Sequence, residues 1–357
     1  MRQVRRVKPG KREPQVRLVP GLIAVLLAAA LWLAPLPAAW VERWYSRGVY
    51  PAWERVAVLL TNLLPVALFD VIVLAAAAAA AVWAVRAKRL RSWRYAAGRL
   101  LLMAGVAGLW FQLGWGLNYR RVPVAESLQL QPPRASSALE RFALAAAERA
   151  RASAGDLPRG DRYSASRVVA ELAPAFARVQ QRLGLPVSAR SGRPKRSLFN
   201  PYFRWAAIDG VTSPLVPEIM VVSDLTPAEV HATVAHEWAH LAGYASEDEA
   251  SFVGWLICLD AGGAARYSGW LFALLKAAGA SPVDGREWLR RAGPDVIADI
   301  QAIEARYLSS SVTVREAASA TYDQFLRANR VKGGIASYDA VLQLMLAAGP
   351  DPALLRR

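Results

Sequence analysis

Three apolar runs in the first third of the chain restrict its architecture more than any other feature. Leu18 to Val41, "LVPGLIAVLLAAALWLAPLPAAWV", carries no charge over 24 residues. A second run covers about residues 62–85 and ends in "VIVLAAAAAAAVWAV"; a third covers about 95–117, "YAAGRLLLMAGVAGLWFQLGWGL". About 20 apolar residues match the roughly 30 Å hydrocarbon core of a bilayer, and in lipid only a helix satisfies its own backbone polar groups. Residues 1–121 therefore read as an anchor of three transmembrane helices, 18–41, 62–85 and 95–117, with the lipid bilayer as partner. Residues 122–357 read as one further domain.

The net charge of +16 follows the same division. Residues 1–121 hold 18 basic and 4 acidic residues, and the remainder holds 26 and 24. A basic excess confined to the membrane part is topogenic charge, which argues against nucleic acid as a partner. The arm "MRQVRRVKPGKREPQVR" and the loop "RAKRLRSWR" are both strongly basic, whereas residues 42–55 are balanced. This places the N-terminus in the cytoplasm and the C-terminal domain outside it. "PLPAAWVE" offers no clean small-residue cleavage site, so the first run reads as a retained anchor. Asp70, within the second run, is expected close enough to the interface to reach water. The lone Cys258, in "FVGWLICL", reads as a small buried hydrophobe.

From Asn118 the composition turns polar. "NYRRVPVAESLQLQPPRASS" reads as a linker, followed by helical patterns near 138–154 and 163–183. Glu218–Val222 reads as a short strand. Six more helices are expected near 227–242, 247–262, 266–279, 294–308, 314–330 and 338–347. The fold class is α+β and mostly helical, with a small sheet feeding a long helix.

The helix opening at Thr226 carries "HEWAH". Thr226, Pro227 and Glu229 form its start signals, and Gly243 fits its left-handed end. His236 and His240 stand four residues apart on one face, so two imidazole nitrogens can meet one zinc ion at about 2.0–2.1 Å. Glu237 projects beside the metal, where a base for water is needed. His231 points off that face and reads as structural. A third protein ligand must be a carboxylate, because the chain has three histidines. Glu247, Asp248 and Glu249 supply the candidates.

HExxH followed by "EDEAS" is similar to the glutamate zincins, and that resemblance implies Glu247 as the third ligand. Ser251 departs from the Asp or Asn that usually supports a histidine there. Over nearly its whole length the chain also resembles a bacterial family of membrane-anchored, zincin-like proteins known as domain of unknown function 3810. "GWGLNYRR", "HEWAHLAGYASEDEASFVGW", "RYSGWLFAL" and "TYDQFLRANRVKGGIASYDAVLQLML" carry the likeness. It implies a zincin-like domain outside the cytoplasmic membrane of a bacterium. It also points to Tyr267, Tyr322 and Tyr338 as candidates to hydrogen-bond an oxyanion. In zincins the strand before the metal helix commonly forms the cleft edge, a role that would fall to Glu218–Val222.

The expected function is a membrane-anchored zinc metallopeptidase acting on proteins or peptides. His236, His240 and Glu247 would hold Zn2+, and Glu237 would be the general base. The alternatives are another zinc hydrolase, such as a cell-wall amidase, or an inactive zincin-like scaffold, against which the intact Glu237 argues.

Overall fold

The computed structural model describes residues 18–131, 133, 137–158, 164–331, 333–334 and 337–356. The basic arm before Leu18 lies outside the described residues. The chain divides into two compact units, residues 1–34 with 72–112 and residues 35–71 with 113–357. Four helices open it: α1 (Leu18–Leu33), α2 (Ala38–Leu63), α3 (Leu68–Leu90) and α4 (Trp93–Gly114). α3 and α4 are each long and apolar enough to cross a membrane, and α1 meets that test only jointly with α2.

Within the first unit α1 and α4 approach closely at glycines. A Cβ on Gly105 would lie 2.5 Å from the Val25 nitrogen, and one on Gly21 would lie 3.0 Å from the Gly98 carbonyl oxygen. Small residues that let backbones touch are a usual means of association in lipid, where apolar burial gives little drive.

The helix limits differ from the sequence expectation. α1 stops at Leu33 rather than 41 because Pro35 and Pro37 follow. α3 starts at Leu68 rather than 62. The balanced stretch 42–55 is not a loop but the middle of α2, π-wound over Val41–Val49. α2 belongs to the second unit and buries Val41, Tyr45, Tyr50, Ala57 and Val58 there. Asp70 does not reach water. It is 3% exposed and accepts hydrogen bonds of 2.6 Å from Ser197 Oγ and from the Leu198 N–H. The stretch after residue 117 is not a free linker either, because Asn118, Arg120 and Arg121 are buried.

The second unit continues with α5 (Ala138–Ser153), α6 (Ala165–Arg182), α7 (Asn200–Trp205), β1 (Gly210–Thr212) and β2 (Ile219–Val221). Seven helices follow: α8 (Pro227–Leu241), α9 (Glu247–Ala261), α10 (Gly263–Ala280), α11 (Pro282–Arg291), α12 (Pro294–Leu308), α13 (Val312–Ala328) and α14 (Ser337–Ala348). The mostly helical architecture with a small sheet is as expected. α8, α9 and α10 form the centre, with α5 and α6 against them. Trp238 packs on Phe176 and Trp255 on Trp270, at centroid distances of 5.2 and 5.6 Å. Cys258 is a free thiol inside this core.

The sheet is one antiparallel pair with Val211 opposite Met220. β2 is bonded on its other side as well, through Lys195 N–H to the Ile219 carbonyl and Val221 N–H to the Lys195 carbonyl, each at 3.0 Å. The open edge therefore belongs to β1, not to residues 218–222 as the zincin likeness had implied.

Candidate metal and catalytic site

The site is assembled from two helices and the turn between them. The Thr226 N–H donates to Glu229 Oε2 at 2.9 Å, which fixes the start of α8. Gly243, at φ +85°, ends it in the left-handed region. The Tyr244 N–H closes the turn by donating to the Ala239 carbonyl at 3.1 Å. The chain then reverses, and Glu247 opens α9. α9 lies directly on α8 because Gly254 has no side chain. A Cβ there would stand 2.9 Å from the His236 nitrogen.

This crossing brings His236, His240 and Glu247 together, with one donor atom of each within 4.8 Å of the others. Glu247 Oε2 is 3.1 Å from His236 Nε2 and 3.5 Å from His240 Nε2. Two ligands at about 2.0–2.1 Å from a tetrahedral ion stand about 3.3–3.4 Å apart, so the donor set fits zinc. The imidazoles are also aimed. His240 Nδ1 hydrogen-bonds the Tyr244 carbonyl at 2.7 Å, which requires the proton on Nδ1 and leaves Nε2 as the donor to an ion. Ser251 Oγ lies 3.1 Å from His236 Nδ1. The serine thus stands at the orienting position despite departing from Asp or Asn.

The charges of the cluster stabilise one another. Burial pushes Glu247 upward, but the charges and hydrogen bonds of His240 and His236 outweigh it and hold the carboxyl well below its usual range. Burial opposes protonation of His240, yet Glu247 prevails and lifts that imidazole to about 9.

Glu237 is buried beside the cluster. Its Oε2 accepts from Thr212 Oγ1 at 2.6 Å, and Thr212 Oγ1 also reaches the Glu237 carbonyl at 3.0 Å. Gly210 leaves room for the carboxylate, since a Cβ there would be 2.5 Å from Oε1. Burial pushes the Glu237 carboxyl above its ordinary range, and the charges of His236 and His240 act against that. A carboxyl moved towards neutrality is better matched to passing a proton.

Glu249 faces away from the cluster. It accepts the Val124 N–H at 2.6 Å, and burial pushes it to about 7. His231 pairs with Glu171 at 2.6 Å, away from the other two histidines. Tyr322 donates to Glu247 Oε1, so it touches a carboxylate of the candidate cluster. Tyr267 is buried and donates to Asp299, so it does not join the site. The side chain of Tyr338 lies outside the described residues.

The structure adds residues that sequence reasoning missed. "GWGLNYRR" forms the floor of the site. Trp115 packs edge-on against His240, with centroids 6.1 Å apart. Gly243 packs against Asn118, and Arg121 donates to the Gly243 carbonyl at 3.0 Å. The Tyr119 hydroxyl is buried without a hydrogen-bond partner among the described residues, and Glu247 is the charge that bears on it. The other missed element is β1. Its length of three residues is too short for alternation to mark it.

The chain belongs to the family described as "Protein of unknown function (DUF3810)", whose model matches residues 45–346. No curated protein and no solved structure matches it.

Proposed function

We propose that the chain is a membrane-anchored zinc hydrolase that cleaves peptide bonds, with its second unit on the extracytoplasmic side. The observation that carries this reading is the placement of Glu247 Oε2 at 3.1 and 3.5 Å from two aimed imidazoles, with the Glu237 carboxylate beside them. His236, His240 and Glu247 would hold the ion. A zinc ion held there would supply Lewis acidity, polarising a substrate carbonyl and making a water a stronger acid.

The chain's own groups do the rest. Glu237 takes the proton of the attacking water and later returns it to the leaving amine. Thr212 holds one carboxylate oxygen in place. Tyr119 offers a substrate oxygen a hydroxyl that has no hydrogen-bond partner among the described residues, and Tyr322 steadies Glu247. β1 is the natural dock for an extended peptide. Residues 209, 211 and 213 bond across to β2, so the backbone groups of Gly210 and Thr212 point to the open edge. The same two residues touch Glu237. A peptide paired there would run past the base.

The test is hydrolysis of a peptide library by the full chain in detergent, with and without chelator, alongside metal analysis. Chelator-sensitive cleavage with about one zinc per chain is expected. A purified chain that neither carries nor takes up zinc would refute the reading.

A further inference from the structure

We propose that α2 is a foot of the second unit that lies in the plane of the membrane surface, its outer face in the lipid interface. The helix buries one face, which mixes apolar residues with Glu42, Ser46, Glu54 and Thr61, and exposes a largely apolar one flanked by Arg43 and Arg55. The inner one packs into the second unit and is tied by polar contacts. Tyr50 donates to the Leu241 carbonyl at 3.0 Å, Thr61 to the Pro217 carbonyl at 3.1 Å, and the Arg190 N–H donates to the Glu54 carboxyl. The outer face carries Trp40, Trp44, Val56, Leu59, Leu60 and Leu63, each 46–72% exposed. Positions 56, 59, 60 and 63 form one stripe at helical spacing. A stripe of this kind needs a cover.

Chain continuity identifies that cover. Four residues separate α2 from α1 and four separate it from α3. Four residues reach at most about 14 Å, so the chain keeps the two ends of α2 close to α1 and α3, apolar helices of which α3 is by itself long enough to cross a membrane. α2 cannot itself cross the bilayer, because its inner face is bonded to Arg190, Pro217 and Leu241 of a folded domain. Tryptophans at 40 and 44 suit the headgroup region. A second exposed patch lies on the second unit, next to the first turn of α3. Leu198, Tyr202 and Trp205 are 72%, 44% and 56% exposed, and Asp70, in the first turn of α3, holds Ser197 and Leu198 by hydrogen bonds. Lipid is therefore the occupant rather than a second copy of the chain.

The experiment is depth measurement on the full chain in phosphatidylethanolamine–phosphatidylglycerol vesicles. Single cysteines at 44, 56, 60, 63 and 202 are spin-labelled; the native Cys258 is fully buried, and the unmutated chain is the control for it. Accessibility to oxygen and to a nickel chelate gives the depth of each label. The expected result is a shallow, oxygen-favoured signal of about equal depth from 44 to 63. A crossing helix would instead grade the depth by about 1.5 Å per residue, and that result would overturn the proposal. Nickel-accessible labels throughout would also overturn it. So would spin–spin broadening that excludes both reagents, since it would mean that another copy of the chain covers the face.

Discussion

Glu237 and Glu247 are two buried carboxylates beside the same pair of histidines with different tasks, and substitutions separate them. Glu237→Gln keeps size and shape but cannot accept a proton. Turnover should fall by roughly 10²–10⁴-fold with zinc content unchanged. Glu247→Ala should lose zinc together with activity, because two imidazoles remain. Glu249→Ala should keep zinc but leave the Val124 N–H buried and unpaired, lowering stability by about 1–3 kcal/mol in thermal unfolding. Metal analysis of all three variants decides between them, and zinc loss in Glu249→Ala alone would reverse the ligand assignment. Much at this scale was legible. The spacing of His236, Glu237 and His240 placed them on one helix, and the zincin likeness favoured Glu247. Tyr119 was not legible, because a tyrosine in a polar stretch after a membrane helix carries no local sign of where its hydroxyl ends up.

At the scale of elements, the α8–α9 crossing depends on Gly254. Gly254→Ala should force the helices apart at His236 and weaken zinc binding without removing a ligand. Competition against a chromophoric chelator would measure this, and unchanged affinity would show that the contact has slack. α2 supplies a test by pH. Burial lifts Glu54 to about 8 in the fold, against a reference value of 4.5. The folded state thus binds the proton more tightly than the unfolded state, so stability is full below about pH 4.5 and declines as pH rises towards 8. Glu54→Gln removes this dependence. Relative to the unmutated chain, it should be a few kcal/mol more stable at pH 9 than it is at pH 5, since each tenfold difference in proton affinity between the two states is worth about 1.4 kcal/mol. A melting series in detergent checks the sign. The long helices α8, α9 and α10 declared themselves by period and caps. α11 did not, because Gly285 reads as a turn former; the glycine is needed where a Cβ would lie 2.5 Å from the Ala278 carbonyl oxygen. α2 was missed because Glu42, Arg43, Arg47, Glu54 and Arg55 made residues 42–55 look like a charge-balanced connection between two apolar runs, whereas the fold buries Glu42 and Glu54 against polar partners.

For the whole molecule, the second unit draws on residues from both sides of position 122. The second unit includes residues 35–71 and 113–121, and these carry Tyr50, Asn118, Tyr119 and Arg121. A fragment of residues 122–357 would expose the surfaces that α2 and the "GWGLNYRR" floor cover. It should be recovered as aggregate or as a species that does not hold zinc, whereas the full chain in detergent stays monodisperse. Size exclusion with in-line metal detection distinguishes them. Nothing in the sequence marked this interleaving, since the partners lie far apart along the chain.

That interleaving also sets a clock. The Arg190 N–H that meets Glu54 follows it by 136 residues, and the Leu241 carbonyl that meets Tyr50 follows it by 191. At about 5–20 residues per second of synthesis, α2 waits on the order of ten seconds or longer for those partners. Ser46 and Glu42 meet Asn118 and Arg121 sooner, 72 and 79 residues on, but the Glu54 carboxyl waits the full interval with lipid and water about it. A nascent chain must therefore park this helix before its domain is complete, and a helix with a stripe of exposed Trp, Val and Leu is suited to being parked at a membrane surface.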